Sequence, residues 1–418
     1  MTALRPALTR GPVLMLAALA SGVAAGAWAA GSDLAAAGSV TSAAAFVGGA
    51  WIDALRMTIA PLVFALVVTG LNTAGGLGAG TFGAKALGLF LGLLAGAAAL
   101  AALIVPNLLA ALPPPALPPL AGLDEAPAVA APTALGSAAA LVRGLIPANP
   151  IRAAADGAMA PLVVFALIFG FAAQHVAAVH RDRVVGLFDA IAQILLKIVR
   201  GVLWTAPVGV FALAVSVGAK AGFAVAGALA YYVVLVCGVC LAITAAVYAA
   251  AAAWARRPLG AYARAMAPAQ LIAFSTQSSL AAMPAVLVGA ERLRLSAGVV
   301  KVLPPLAVTV FRITAPAANV TGALYLAAAL GVVTSPAQVA AAAAIAVVTS
   351  FSSVGLPVQI SYLAMLGPIC AVLGVPFHWL PLLLAVEPLV DTCRTLGNVT
   401  GQFASICFLG RREDPAPA

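Results

Sequence analysis

Glu387-Pro-Leu-Val-Asp391-Thr-Cys-Arg394-Thr395-Leu-Gly397-Asn398-Val-Thr-Gly401-Gln402 is the stretch on which the reading of this chain turns. Glu387, Asp391, Arg394 and Asn398 are spaced i, i+4, i+7 and i+11, so on a helix they share one face. The flanks are apolar: Leu380-Pro-Leu-Leu-Leu-Ala-Val386 precedes the stripe and Phe403-Ala-Ser-Ile-Cys-Phe-Leu409 follows it. An ionisable residue in the middle of a bilayer costs roughly 2.5–3.5 kcal/mol on insertion scales. Three on one stripe imply a protein-lined cavity or mutual pairing, with an Asp391–Arg394 salt bridge as the simplest pair. Chemically, an arginine fork takes a carboxylate and an aspartate takes an ammonium, so the stripe suits a zwitterion. Thr395 and Asn398 add hydrogen bonds.

The rest of the chain makes lipid the relevant solvent. Of 418 residues, 64% are hydrophobic and 8% are charged, against about a quarter charged in a soluble domain. Mean hydropathy is +1.13. Arg5 and Arg10 precede an apolar run from Val13 to Ala30; its length predicts a first transmembrane helix, not a cleaved leader. The net charge of +9 reflects topology, not nucleic-acid binding. Arg181, Arg183, Arg256, Arg257, Arg264, Arg292, Arg294, Arg411 and Arg412 fall between or beside apolar segments, with Asp33, Asp124 and Glu125 in the alternate gaps. That pattern predicts a multi-pass inner-membrane protein with both termini cytoplasmic. His175, His180 and His378 are too scattered for a metal site, and Cys237-x-x-Cys240 lies in an apolar run without a redox context. The chain has no nucleophile triad, paired catalytic carboxylates or Gly-rich phosphate loop, which argues against an enzyme. No cofactor is expected.

Apolar segments run at about 11–30, 43–73, 83–111, 128–178, 185–217 and 224–254. Pro147, Asn149 and Pro150 break the fourth, and the proline-rich 112–120 is expected to be extended and extracytoplasmic. Two later stretches, 262–294 and 336–374, are too interrupted for ordinary spans. The first carries Ser275-Thr276-Gln277-Ser278-Ser279 at its middle, the second Thr349-Ser350-Phe351-Ser352-Ser353-Val354-Gly355-Leu356-Pro357. Such backbone is tolerated at membrane depth only where it lines a cavity. Each stretch precedes a spanning helix, at 298–330 and 376–410, and such a repeat of interrupted segments points to a transporter's binding site.

Together, the hairpin serines and the string Asp391-Thr-Cys-Arg394-Thr395-Leu-Gly-Asn398-Val-Thr-Gly401 resemble the glutamate transporter family, the dicarboxylate/amino acid:cation symporters. Trp51-Ile-Asp-Ala-Leu-Arg-Met-Thr-Ile-Ala-Pro61, Ile146-Pro147-Ala-Asn149-Pro150 and Thr205-Ala-Pro207-Val-Gly-Val-Phe-Ala212 look like its second, fourth and fifth helices. The resemblance implies an all-α polytopic fold of eight transmembrane helices and two re-entrant hairpins, assembled as a homotrimer in the lipid bilayer. Residues 1–254 would hold the scaffold plus helices 3 and 6 of a moving elevator core. Residues 255–418 would complete that core with hairpin 1, helix 7, hairpin 2 and helix 8. The implied cargo is a small anion, an acidic amino acid. Its amino group would sit on Asp391, its side-chain carboxylate on Arg394, and its α-carboxylate on Asn398 and the Ser278/Ser279 tip. Gly355 and Arg312, the latter a departure from the family, are the further substrate-binding candidates of this chain. A C4-dicarboxylate carrier or exchanger and an anion-conducting relative are the competing readings.

Departures from the family concern its cations. A gap-free placement from Pro284 to Pro357 puts the family's sodium-binding Asn-Met-Asp-Gly-Thr on Phe311-Arg312-Ile313-Thr314-Ala315; Asn319-Val-Thr-Gly322 would need an insertion and a deletion. The cation-binding aspartate after Val-Thr-Gly is Gln402 here, and a threonine-serine pair falls on Leu93-Leu94. Ser350, Ser353 and Glu387 are the cation candidates that remain, Glu387 for a proton. Arg312 either stands in for sodium as a tethered positive charge, or only salt-bridges Asp391 and alters substrate choice.

Overall fold

The computed structural model describes residues 5–31, 35–77, 81–117, 146–156, 159–222, 224–254, 258–351, 358–376 and 379–410. Every regular element there is a helix, in the order α1 (Arg5–Ala30), α2 (Ala35–Leu77), α3 (Thr81–Ala111), α4 (Pro150–Ala155), α5 (Met159–Ala173), α6 (Ala178–Trp204), α7 (Ala206–Ala221), α8 (Ala224–Trp254), α9 (Leu259–Thr276), α10 (Ser279–Arg292), α11 (Ala297–Val310), α12 (Thr314–Ala329), α13 (Pro336–Phe351), α14 (Val358–Leu373), α15 (Leu380–Leu383) and α16 (Glu387–Leu409). Among the described residues three helices carry spans long and apolar enough to cross a membrane: Gly38–Thr69, Ala84–Ala111 and Val225–Trp254. The pair Ala178–Trp204 and Ala206–Ala219, bent by 58° at Thr205, makes a fourth if it counts as one span. Pro207 begins the second arm in its first turn, where a missing N–H matters least.

Packing divides the helices into two groups that touch each other less than they touch their own members. One group holds α1, α2 and α5–α7; the other holds α3, α8–α14 and α16. Within the first, Gly22 and Gly26 of α1 meet the backbone of α7 at Phe211 and Val215, and Gly218 of α7 meets Val23. A Cβ at any of these glycines would clash. Small residues four apart let two backbones approach without side chains between them, which drives helix association where lipid removes the hydrophobic effect. Trp51 anchors α2 to α6 and α7, lying over Gly209 and donating its indole N–H to the Val202 carbonyl at 3.1 Å.

Local sequence sets the breaks. Asn149 caps α4 by accepting from the Ile151 and Arg152 amides, so the Pro-Ala-Asn-Pro interruption is a helix start. Leu117 closes the proline-rich stretch by donating its N–H to the Ala329 carbonyl at 2.8 Å; residues 118–145 lie outside the described residues. Gly222 ends α7 at φ 55°, ψ −139°, a backbone region that glycine alone adopts readily. Its N–H caps Gly218, and α8 begins at Ala224. Residues 298–330, expected as one helix, are two. α11 and α12 are separated by extended backbone at Phe311 and a turn at 313.

Candidate substrate-binding site

The stripe from Glu387 to Asn398 is buried inside the second group. Glu387 is fully buried, and Asp391, Arg394 and Asn398 are each 7% exposed. Long helical side chains point back toward the helix N-terminus, so Arg394 reaches two turns up α16 and sets Nη1 3.2 Å from Glu387 Oε1. The pair expected from spacing was Asp391; the ion pair found for Arg394 is with Glu387. Tyr232 of α8 donates to Glu387 Oε2 at 3.0 Å and lies 3.5 Å from the Tyr362 hydroxyl. The Tyr362 ring in turn lies 5.9 Å from the Arg394 guanidinium carbon, within cation–π range.

This pairing leaves one edge of the guanidinium open. Arg394 Nε and Nη2 are buried and have no hydrogen-bond partner among the described residues. Those two N–H groups lie side by side on the fork that takes a carboxylate bidentately. A buried donor left unmade costs about 1–3 kcal/mol, more when charged, so the arrangement favours an anionic ligand. Asp391 lies one turn away on the same face of α16 and is itself buried.

Hairpin 1 brings its tip to the same turn of α16. Gln277 adopts the left-handed conformation at φ 52° and donates from Nε2 to the Pro388 carbonyl and the Thr392 hydroxyl, both at 2.8 Å. Ser278 caps α10 by accepting the Ala281 amide, and Ser279 is the first residue of that helix. Ser353 and Gly355 lie outside the described residues, as does the rest of 352–357. Ser350 is buried at the end of α13 and donates to the Ala346 carbonyl at 2.6 Å.

The helix break at 311–313 packs directly onto α16. Cβ atoms at Gly397 and Gly401 would collide with Thr314 and Ile313, so glycine at both positions makes the groove that receives this corner. Asn398 Oδ1 accepts from the Thr314 amide at 3.1 Å and its hydroxyl at 2.8 Å, supplying the N-terminal cap that α12 lacks in its own sequence. With Oδ1 so engaged, only the Asn398 Nδ2 group remains to serve a substrate carboxylate. Gln402 Nε2 donates to the Phe311 carbonyl at 3.2 Å. Arg312 is half-buried in the break itself, and Asn319 lies inside α12. The break therefore falls on the residues of the gap-free placement.

Sequence reasoning passed over Gln277, Tyr232 and Tyr362. A tyrosine in an apolar helix does signal a hydroxyl in need of a partner, but nothing in α8 or α14 names Glu387 as that partner.

A family model described as the sodium:dicarboxylate symporter family matches residues 12–411. A proton/glutamate-aspartate symporter of Escherichia coli (strain K12) is 26% identical over 272 residues, 65% of this chain and 62% of that relative's length. The C4-dicarboxylate transport protein of Rhizobium johnstonii is 26% identical over 382 residues, 88% of this chain and 83% of the relative. That of Rhodopseudomonas palustris (strain ATCC BAA-98 / CGA009) is 27% identical over 382 residues, 87% and 81% of the two lengths. Both descriptions are of transporters, not enzymes.

Proposed function

The chain belongs to the sodium:dicarboxylate symporter family, and from that premise we propose that it carries a small acidic amino acid such as aspartate or glutamate across the inner membrane. The observation behind this reading is the open Nε/Nη2 edge of buried Arg394, with the Asp391 carboxylate one turn away. The fork takes the side-chain carboxylate and Asp391 the ammonium. Asn398 Nδ2, Thr395 and the Ser278/Ser279 tip address the α-carboxylate, and Arg312 balances the charge of Asp391. The name of the E. coli relative agrees with this cargo.

A C4-dicarboxylate is the second reading, favoured by Arg312 as a second guanidinium and by the names of two relatives. Competition against radiolabelled aspartate uptake in proteoliposomes separates them. Unlabelled glutamate and aspartate should compete strongly and succinate weakly; the reverse order would replace the proposal with the second reading.

Transport is independent of sodium. This rests on Arg312 within the break and on Gln402, whose amide N–H holds the Phe311 carbonyl. A hard cation needs several oxygen ligands; here Arg312 brings a guanidinium, and Gln402 turns its N–H to the Phe311 carbonyl and leaves one neutral oxygen, Oε1, where the family has an aspartate. Protons are the coupling ion, with Glu387, buried and hydrogen-bonded by Tyr232, as the group that carries them. The two packing groups support an elevator in which α3, α8–α14 and α16 move past α1, α2 and α5–α7; a homotrimer is the assembly that the family resemblance implies.

A further inference from the structure

We propose that the open base of hairpin 1 is a binding site for an anionic membrane phospholipid. A cavity of about 220 Å³ lies between the start of α9 and the end of α10, lined by Ala261, Arg264, Ala265, Arg292 and Leu293. Two of its five lining residues are arginines. Among the described residues neither forms an ion pair, although Glu291 is next in sequence to Arg292, and Arg152, Arg181 and Arg394 all form one. The remaining walls are two alanine side chains and buried Leu293, which offer a phosphate no competing carboxylate.

Apolar surface runs from this cavity along the hairpin toward its tip. Leu271 lies seven residues beyond Arg264 on the same face of α9 and is 69% exposed; Val288 lies four residues before Arg292 on α10 and is 48% exposed. At 1.5 Å per residue these sit about 10 Å and about 6 Å deeper than the arginines. A charged end and a greasy flank at that separation match a phosphodiester headgroup with its acyl chains, a shape that a soluble anion does not share. The positive-inside reading puts this end of the hairpin at the cytoplasmic surface, where basic pockets between helices hold anionic headgroups. Hairpin 1 is joined to α16 through Gln277 at its tip, so a lipid held at its base would touch a hairpin whose other end is bonded to the helix that carries the substrate stripe.

The test is native mass spectrometry of the full chain released from bilayer discs made of equal phosphatidylglycerol and phosphatidylcholine. Retained phosphatidylglycerol should exceed phosphatidylcholine, with each arginine contributing about fivefold, the strength of one basic residue beside an anionic surface. Arg264→Gln with Arg292→Gln should return the ratio to that of the bulk, Arg264→Lys with Arg292→Lys should keep most of the enrichment, and Leu271→Ser should lower total lipid retention. Equal retention of the two lipids, or enrichment that survives the glutamine pair, would overturn the site. Displacement of the lipid by millimolar glycerol phosphate would overturn the lipid assignment in favour of a small phosphate ligand.

Discussion

Arg394 does two jobs with one planar group. Nη1 is held by Glu387, which is itself fixed by Tyr232, while Nε and Nη2 stay buried and without a partner among the described residues, the fork that the proposal assigns to the substrate. Lysine keeps the charge but has no fork. Arg394→Lys should therefore weaken aspartate binding by roughly 10- to 100-fold, the worth of a charged hydrogen bond of about 1.5–3 kcal/mol, measured by titration calorimetry on the purified protein. Asp391→Asn separates the two cargo readings. Removing the partner of a buried ammonium costs about 2–5 kcal/mol, so amino-acid affinity should fall at least 30-fold while succinate binding holds or improves. An equal loss for both ligands would remove Asp391 from the ammonium role.

At the scale of elements, the corner at 311–313 is held entirely by another helix. Gly397 and Gly401 make room for it, Asn398 caps α12 on its far side and Gln402 takes the carbonyl of Phe311 at its start. Gln402→Leu leaves that carbonyl without this donor. It should destabilise the protein by about 1–3 kcal/mol, seen as a lower unfolding temperature in detergent. In the other group, Gly26→Leu should force α1 off α7 and cost about 1–3 kcal/mol of overpacking, read by the same measurement.

Much of this was legible in sequence for a simple reason. A polar stripe at helical spacing in an apolar segment conflicts with lipid, and here that conflict marks a place where the fold encloses charged side chains: Glu387, Asp391 and Arg394 are all buried. The corner at 311–313 was not legible as a helix end, because Phe311-Arg312-Ile313 contains neither glycine nor proline and its stabilising partners lie some 85 residues away in sequence. Spacing suggested Asp391 as the partner of Arg394 because i and i+3 are neighbours on a helix. It could not show that the side chain leans toward the N-terminus and ends beside Glu387.

For the whole molecule, the proposal turns on what drives uptake. Proteoliposomes loaded without aspartate should accumulate it equally with sodium or choline outside, and faster when the outside is acidified relative to the lumen. A strong rise with an inward sodium gradient would overturn the reading of Arg312 and Gln402 as occupants of the cation position. Geometry also constrains how such a carrier moves. Gly222 separates α7 of one packing group from α8 of the other, and α8 starts only two residues later. So short a link keeps the first turn of α8 beside α7 whatever the rest of its group does. The 31 residues of α8 span about 45 Å, so the proposed passage of its group past the other would turn α8 about Gly222, a modest tilt there becoming a long sweep at the far end, as in a swinging gate hung on one post.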